Sequence, residues 1–263
     1  MTATVSNFDY GLVTPIAAYL MATVGAALGL RCTTRSLRRP HHRARWLALG
    51  AVSFGCGIWA MHFIAMIGFD IKGAAVHYDR DQTLLSLVVV IACVAGGMFL
   101  VGYRGRSPST LVTAGIITGN GVVTMHGLGM SAIKVDGSLH YDGRIVILTF
   151  LFTIVIATAA LWAAVSIHAL WSSMGASLIM GVAVTGMHYM GMAALSVQLT
   201  GRAAAEESSS NLGFLMAMLA GPLTVLLIAT TIVMFDPDMM SGDEDLDRAA
   251  SAPRGADSAH PVQ

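Results

Sequence analysis

The stretch Met187-His188-Tyr189-Met190-Gly191-Met192 lies in one of the most apolar parts of this chain. Residues 145–201, which surround it, contain no aspartate, glutamate, lysine or arginine. An uncharged run of this length is typical of segments that cross a lipid bilayer. The run therefore predicts membrane-spanning helices, and the histidine placed among thioethers inside it calls for a separate explanation.

The composition of the whole chain supports a membrane location. Of its 263 residues, 55% are hydrophobic and 11% are charged, whereas a soluble domain averages about 25% charged residues. The formal net charge is zero, so the chain has no general attraction to nucleic acid. We therefore expect a multi-pass integral membrane protein, with membrane lipid as its first partner.

Seven apolar runs are long enough to span a bilayer, which requires about 20 residues each. Because an isolated strand cannot satisfy its backbone in lipid, all of them are expected to be helical. The predicted fold is an all-α membrane protein built from three repeated helical hairpins plus one extra helix. The predicted spans are residues 11–30, 46–69, 84–103, 109–133, 145–167, 172–196 and 212–235.

The basic residues predict the orientation of these spans. The first connection contains six arginines and no acid, and the third connection contains Arg104 and Arg106. By the positive-inside rule both connections are cytoplasmic, which places the N-terminus outside and the C-terminus inside. Residues 1–10 then form a short outer segment and residues 11–236 the membrane domain. The acidic and small polar residues of 237–263 predict a disordered cytoplasmic tail.

Self-comparison finds three copies of one motif, M-H-x-x-[AG]-M. The histidines are 64 and 62 residues apart, and each copy falls in an even-numbered span. Each histidine follows the predicted inner end of its span by 15 or 16 residues, or roughly 22–24 Å of helix. We therefore expect three imidazoles in one layer near the outer face. The copies are residues 61–66, 125–130 and 187–192.

The donor atoms in this layer predict a metal site. The histidine and the last methionine of each copy share one helix face, while the first methionine points toward a neighbouring helix. Imidazole and thioether together suit copper, especially Cu(I), better than zinc, calcium or magnesium. Cys56 is a weaker candidate. The candidate ligands are His62, Met66, His126, Met130, His188 and Met192, together with Met61, Met125 and Met187.

The small residue of each motif and two further glycines are expected to allow close approach of helices. These residues are Ala65, Gly129 and Gly191 within the motifs, with Gly57 and Gly121 five residues before a histidine.

The motif and its spacing resemble the MHYT domain of bacterial membrane sensors, and the third copy is nearest to that pattern. The first copy has Phe63 at the aromatic position, and the second has Gly127. The resemblance continues in His77-Tyr78-Asp79 and His140-Tyr141-Asp142, whereas the third copy is followed by Val197-Gln198-Leu199. His77 and His140 are either outer metal-capturing groups or polar interfacial residues.

The resemblance implies a function for the domain. It implies a seven-span sensor in the inner (cytoplasmic) membrane whose histidines and methionines hold copper near the outer face. It further implies that a diatomic gas such as oxygen, carbon monoxide or nitric oxide, or the redox state, is the signal. Relatives are often fused to cyclic di-GMP enzymes or kinases. Because no such domain follows here, we expect a stand-alone form without catalytic activity, which acts through a separate cytoplasmic signalling protein.

Three other functions remain open from the sequence. Histidines on neighbouring helices can ligate haem, which makes a haem-binding membrane protein the first alternative. A copper-handling or transport protein is the second, although the donors form one layer rather than a path. A membrane scaffold whose repeats only pack is the third. The sequence leaves the oligomeric state undetermined.

Overall fold

The described part of the chain contains seven long helices, as the apolar runs predict. The computed structural model describes residues 5–7, 9–71, 77–135, 137–167, 169–199 and 208–235, so the predicted tail lies outside the described residues. Each helix is long and apolar enough to cross a membrane, which makes this a multi-pass membrane protein. The helices are α1 (Val13–Arg38), α2 (Arg43–Ile67), α3 (Arg80–Arg104), α4 (Pro108–Ser131), α5 (Gly143–Ser166), α6 (Leu170–Ala193) and α7 (Ser208–Met234).

The first helix is longer than predicted. The predicted span ends at residue 30, but α1 continues through the arginine-rich segment to Arg38. Nothing in this segment breaks a helix, and long arginine side chains can reach the membrane surface from a helix end. Arg39 leaves the helical conformation, with φ −125° and ψ 83°, because it precedes Pro40. A single turn at Pro40–His42 then leads into α2.

Three short antiparallel strand pairs, which the sequence analysis did not predict, lie at one end of the bundle. This end is called the strand end. The opposite end, which contains the α1–α2 and α3–α4 connections, is called the arginine end. Strands of two to five residues carry too few side chains to show a period of two. The pairs are β1 (Val5–Ser6) with β2 (Asp70–Ile71), β3 (His77–Tyr78) with β4 (Ile133–Lys134), and β5 (Gly137–Tyr141) with β6 (Leu195–Leu199).

The repeating unit is therefore a strand, two helices and a second strand. An aspartate follows the first strand of each unit, and its backbone N–H donates to a carbonyl just after the second helix of the same unit. The three bonds join Asp9 to Gly68 at 3.1 Å, Asp79 to Ala132 at 2.8 Å, and Asp142 to Ala194 at 2.9 Å. The Tyr-Asp pair that follows each of the first two motif copies therefore belongs to the next unit, which explains why no such pair follows the third copy.

The first six helices form a closed ring in chain order, with α6 packed against α1. The extra helix α7 packs outside the ring against α2 and α1. Gly25 of α1 meets Gly57 of α2 so closely that a Cβ on Gly57 would lie 2.6 Å from the Gly25 Cα. The outer faces expose large apolar side chains, as a lipid-facing surface requires. The even-numbered helices carry the motif and converge at the strand end.

Candidate metal centre

The three motif histidines meet at the bundle axis near the strand end. His62 of α2, His126 of α4 and His188 of α6 each lie five residues before the last residue of their helix. As the spacing predicts, they form one layer, here called the triad. His62 and His188 are buried and His126 is half-buried. Equal position in equivalent helices therefore brings the three rings to one depth.

The rings converge through their Nδ1 atoms. His62 Nδ1 lies 3.1 Å from His188 Nδ1 and 3.3 Å from His126 Nδ1. The ring centroids are 5.0, 5.0 and 5.3 Å apart, and the interplanar angles are close to perpendicular, at 80 to 81°. The centre of the triad is thus lined by nitrogen atoms rather than by carbon edges.

Hydrogen bonds alone cannot satisfy this convergence. The Nδ1 atom of a neutral imidazole has either one proton or one lone pair in the ring plane, so it makes one hydrogen bond. His62 Nδ1 is approached by two other Nδ1 atoms. At most one of these two approaches can therefore be a well-formed hydrogen bond. A shared cation that accepts three lone pairs would satisfy all three nitrogens at once.

The spacing of the nitrogens fits a metal ion. Ligand nitrogens about 2.0 Å from one ion, at angles between tetrahedral and trigonal, are about 3.3–3.5 Å apart. The distances from His62 Nδ1 to the other two Nδ1 atoms, 3.1 and 3.3 Å, are close to that range. With the metal on Nδ1, the proton of each imidazole lies on Nε2. The residues present therefore fit a three-nitrogen metal site with little rearrangement.

The motif glycines make room for the histidine of the preceding copy. A Cβ added at Gly129 would collide with His62 Nε2, and one at Gly191 would lie 2.8 Å from His126 Nε2. The small residue therefore accommodates a ring, rather than only allowing close approach of two helix backbones as predicted. His62 Nε2 is buried and has no hydrogen-bond partner among the residues that the structure describes.

The last methionines of the three motifs form a second layer on the strand side of the triad. Met66, Met130 and Met192 are nearly inaccessible to solvent and belong to one cluster of buried side chains. The three methionines are called the methionine layer. The other buried members of the cluster lie in the strands or just after a helix. They are Phe69, Ile71, Ile133 and Val197. Thioethers thus lie one helical turn from the imidazoles, on the side that the strand pairs cover.

The first methionines of the motifs have a different environment. Met61, Met125 and Met187 are buried in the main hydrophobic core between the helices, a cluster separate from the methionine layer. This position agrees with the expectation that the first methionine of each motif points toward a neighbouring helix.

An apolar layer and a small cavity lie on the arginine side of the triad. Ile58, Val122 and Val184 each precede a histidine by four residues. They therefore lie one helical turn nearer to the arginine end. They line a cavity of about 20 Å³ together with side chains from α5 and the next turn of the even helices. The triad is thus enclosed by thioethers on one side and aliphatic groups on the other.

Several weaker candidates lie away from the triad. Cys56 is buried in a cluster with Cys32 and residues of α7, such as Leu226. His77 and His140 are exposed on β3 and β5. Among the described residues, the triad is the cluster of histidine, cysteine or acidic groups that could hold a metal, and it includes none of these three.

One set of aromatic contacts near the triad was not predicted from the sequence. Phe63 packs edge-on against His62 with centroids 4.7 Å apart, and its ring lies 6.4 Å from that of Tyr78. Tyr78 in turn stacks on Phe214 of α7 at 6.3 Å. Desolvation raises the pKa of the Tyr78 hydroxyl. The Tyr-Asp motif was the available signal, but nothing in it indicates a contact with α7.

Comparisons with known proteins agree with this architecture. The family described as the bacterial signalling protein N-terminal repeat, MHYT, matches residues 55–114 and 119–177. These two matches include His62 and His126, and the third motif follows them along the chain. No solved structure matches the chain.

Curated relatives are much longer signalling proteins. The bifunctional diguanylate cyclase/cyclic di-GMP phosphodiesterase MucR of Pseudomonas aeruginosa is 31% identical over 76% of this chain and 30% of its own length. The cyclic di-GMP phosphodiesterase NbdA of the same species is 29% identical over 78% of this chain and 28% of its own. The signalling protein YkoW of Bacillus subtilis is 30% identical over 57% of this chain and 19% of its own.

The chain thus spans less than a third of the length of these relatives. The repeated motif, the seven apolar helices and the family match agree with one another. This chain belongs to the MHYT family of membrane sensor domains found in bacterial signalling proteins.

Proposed function

We propose that this domain binds one copper ion through Nδ1 of His62, His126 and His188 and uses it to sense a diatomic gas or the redox state. The observation that carries the proposal is the convergence of the three Nδ1 atoms at 3.1 and 3.3 Å. Such a convergence in a buried site is unfavourable without a shared cation. Oxygen, carbon monoxide and nitric oxide are the ligands that we consider.

The methionine layer favours copper over other metals. Thioethers are soft donors that bind Cu(I) and bind zinc poorly. Met66, Met130 and Met192 are the residues that would supply a sulfur ligand beside the three nitrogens. Bound as Cu(I), copper supplies the ability to bind a small diatomic ligand or to lose an electron. The surrounding side chains exclude water from the triad and fix the imidazoles in place.

Haem fits this site less well than a single ion. A haem held by two of the histidines would place a porphyrin plane between their rings. The rings contact one another here, with centroids 5.0–5.3 Å apart. Copper transport is also less favoured, because Ile58, Val122 and Val184 form an aliphatic layer directly below the triad. A path for ions would require further donors at that level.

We infer that sensing is the role of this region and that catalysis, where it occurs, resides in other domains or proteins. The relatives are named as cyclic di-GMP enzymes, and the matched part is less than a third of each. A cytoplasmic signalling protein of that class is the proposed recipient of the signal. The arginines at one end of the bundle support an orientation in the inner membrane with that end in the cytoplasm.

The proposal is tested by elemental analysis after Cu(I) loading of the detergent-purified protein. We expect about one copper per chain and the loss of high-affinity copper in His62→Ala, His126→Ala and His188→Ala. The double variant His77→Ala/His140→Ala is the control, because these exposed histidines lie on the strands. Its copper content should equal that of the wild type. The triple triad variant combines His62→Ala, His126→Ala and His188→Ala. Intense haem bands in the visible spectrum, or copper retained by the triple triad variant, would refute the proposal.

A copper-loaded protein then permits a test of the signal. The wild type and the triple triad variant are titrated with carbon monoxide, and the infrared stretching band of the bound gas is recorded. We expect a band only in the copper-loaded wild type. A redox input would instead appear as a reversible change in the copper X-ray absorption edge without any band from carbon monoxide.

A further inference from the structure

A cleft of about 240 Å³ opens at the arginine end of the bundle, far from the triad. Its walls come from the α1–α2 connection, from the first turns of α2, and from the last turns of α7. The lining residues divide into a basic group and an apolar group. The basic group is Arg39, His42 and Arg45, and the apolar group is Trp46, Leu49 and Ile232.

The charge around this cleft has one sign within the described residues. All carboxylates of the described part belong to the strand end, where Asp9, Asp70, Asp79, Asp81 and Asp142 are found. The arginine end has the basic residues of the first connection and the arginines at the α3–α4 connection. Positive residues concentrated on one face of a membrane protein attract anionic lipid headgroups, by about 1 kcal/mol for each Lys or Arg near the surface.

Arg35 holds the two helical walls of the cleft together. Its guanidinium lies 4.9 Å from the centre of the Trp46 ring on α2, and its Nη2 donates to the Val233 carbonyl of α7 at 2.7 Å. One residue of α1 thus fixes the indole and the end of α7 at the same time. The cleft is therefore a preformed feature of three helices rather than a gap between loose side chains.

The apolar side of the cleft faces the lipid. Ile232 is 46% exposed and lies on the same helix as the exposed residues Leu227 and Ile228. Leu49 and Trp46 are half-buried beside it. A free phosphate or a soluble anion would gain nothing from these groups, whereas an acyl chain would bury them. The combination of a cationic rim and an apolar floor matches a phospholipid in both of its parts.

We propose that this cleft binds an anionic phospholipid of the bilayer. The phosphate group lies among Arg39, His42 and Arg45, and the first part of one acyl chain lies along Leu49 and Ile232. A phospholipid bound in this way contacts α2, which carries His62, and α7. The proposal is independent of the copper site, because no residue of the cleft belongs to the triad or to the methionine layer.

Trp46 provides a reporter for the test. The full chain is placed in phosphatidylcholine nanodiscs that contain a small fraction of doxyl-labelled phosphatidylglycerol, or of equally labelled phosphatidylcholine. The contribution of Trp46 is the difference in quenching between the wild type and Trp46→Phe. We expect labelled phosphatidylglycerol to quench Trp46 at a lower mole fraction than labelled phosphatidylcholine. This preference should fall by about fivefold for each arginine replaced in Arg39→Gln/Arg45→Gln.

The matched control is Arg104→Gln/Arg106→Gln, which removes the same charge from the same end but outside the cleft. It should retain the preference for phosphatidylglycerol. Equal quenching by the two lipids, or an equal loss in the control, would overturn the proposal. A preference that appears only after the acidic residues of 236–247 are replaced by amides would also overturn it, since the tail would then be the occupant. The thermal midpoint in phosphatidylcholine verifies that each variant is folded.

Discussion

The Nε2 atom of His62 lies against the position where the side chain of residue 129 would begin, too close for a Cβ to fit. Gly129 belongs to the next copy of the motif, so the histidine of one repeat rests against the glycine of another. His126 has the same relationship to Gly191. The glycine and the histidine of M-H-x-x-[AG]-M are therefore partners between repeats rather than within one. This arrangement locks the three helices around the triad.

Replacement of Gly129 by alanine should reverse the usual effect of that substitution in a helix. Alanine normally stabilises a helix interior by up to about 1 kcal/mol relative to glycine. At residue 129, however, the new methyl group would collide with the buried His62 ring, and overpacking of this kind costs about 1–3 kcal/mol. We expect Gly129→Ala to lower the thermal midpoint and to weaken copper binding, both measured on the purified protein.

Gly127→Ala is the control for this experiment. Gly127 lies two residues earlier in the same helix, and a Cβ there would meet no atom within 4 Å. The variant should therefore keep its copper affinity and should be as stable as the wild type or more stable. If both variants behave alike, the contact between His62 and Gly129 does not determine the position of the ring.

Replacement of the methionine layer by leucine separates packing from ligation. Leucine has a volume similar to that of methionine, and such a swap usually costs less than about 1.5 kcal/mol. If a thioether binds the metal, Met66→Leu/Met130→Leu/Met192→Leu should weaken Cu(I) binding by about tenfold or more, because the remaining donors are harder. A competition titration with a Cu(I) chelator measures the affinity, and X-ray absorption detects the loss of a sulfur neighbour.

The first methionines provide the matched comparison. Met61→Leu/Met125→Leu/Met187→Leu removes the same number of sulfurs from the main core. This variant should retain the Cu(I) affinity of the wild type. A loss of affinity confined to the leucine variant of the methionine layer identifies ligation. Equal losses in the two triple variants would point to packing as the common cause. Copper binding unaffected by either set would leave the three nitrogens as the whole site.

The sequence was sufficient to predict the parts of the site that depend on spacing. Seven apolar runs and the recurrence of one motif at 64 and 62 residues predict where His62, His126 and His188 lie along equivalent helices. Equal depth then follows from the constant rise of a helix. The grouping of the three imidazoles is a geometric consequence of these two regularities, and it does not depend on details of packing.

Other parts could not be predicted, because they depend on contacts between distant residues. The contact between Gly129 and the His62 ring requires the rotation of each helix, which no local pattern encodes. The strands are too short for a periodic signal, and their partners lie far apart in the chain. The length of α1 was underestimated because charged residues suggested a loop, although arginine is a good helix former.

The orientation of the bundle can be tested with introduced cysteines. Ser109 is exposed near the arginine end, and Ser138 is exposed on β5 at the strand end. In intact cells we expect a membrane-impermeant maleimide to label Ser138→Cys but not Ser109→Cys. Cys32 and Cys56 are buried and Cys93 is half-buried, so the wild type measures the background. Labelling of Ser109→Cys alone would reverse the predicted orientation.

The attachment of α7 to the ring should depend on Tyr78. Its ring stacks on Phe214 with an interplanar angle of 8° and also approaches Phe63, the neighbour of His62. An aromatic pair contributes about 0.5–1.5 kcal/mol beyond the area that it buries. Tyr78→Leu should therefore increase hydrogen exchange in α7, measured by mass spectrometry over residues 212–235. Tyr78→Phe preserves the stacking and should leave the exchange unchanged.

Tyr141 is the matched control for Tyr78, because it holds the equivalent place in the next repeat. It is 44% exposed and belongs to β5, which pairs with β6. Tyr141→Leu should leave exchange in α7 at the wild-type rate, since the seventh helix breaks the threefold symmetry at one repeat only. Increased exchange in both leucine variants would mean that the strand end as a whole, rather than the stack of Tyr78 on Phe214, holds α7. Because Phe63 links this stack to His62, the same variants should also show whether copper loading changes the protection of α7.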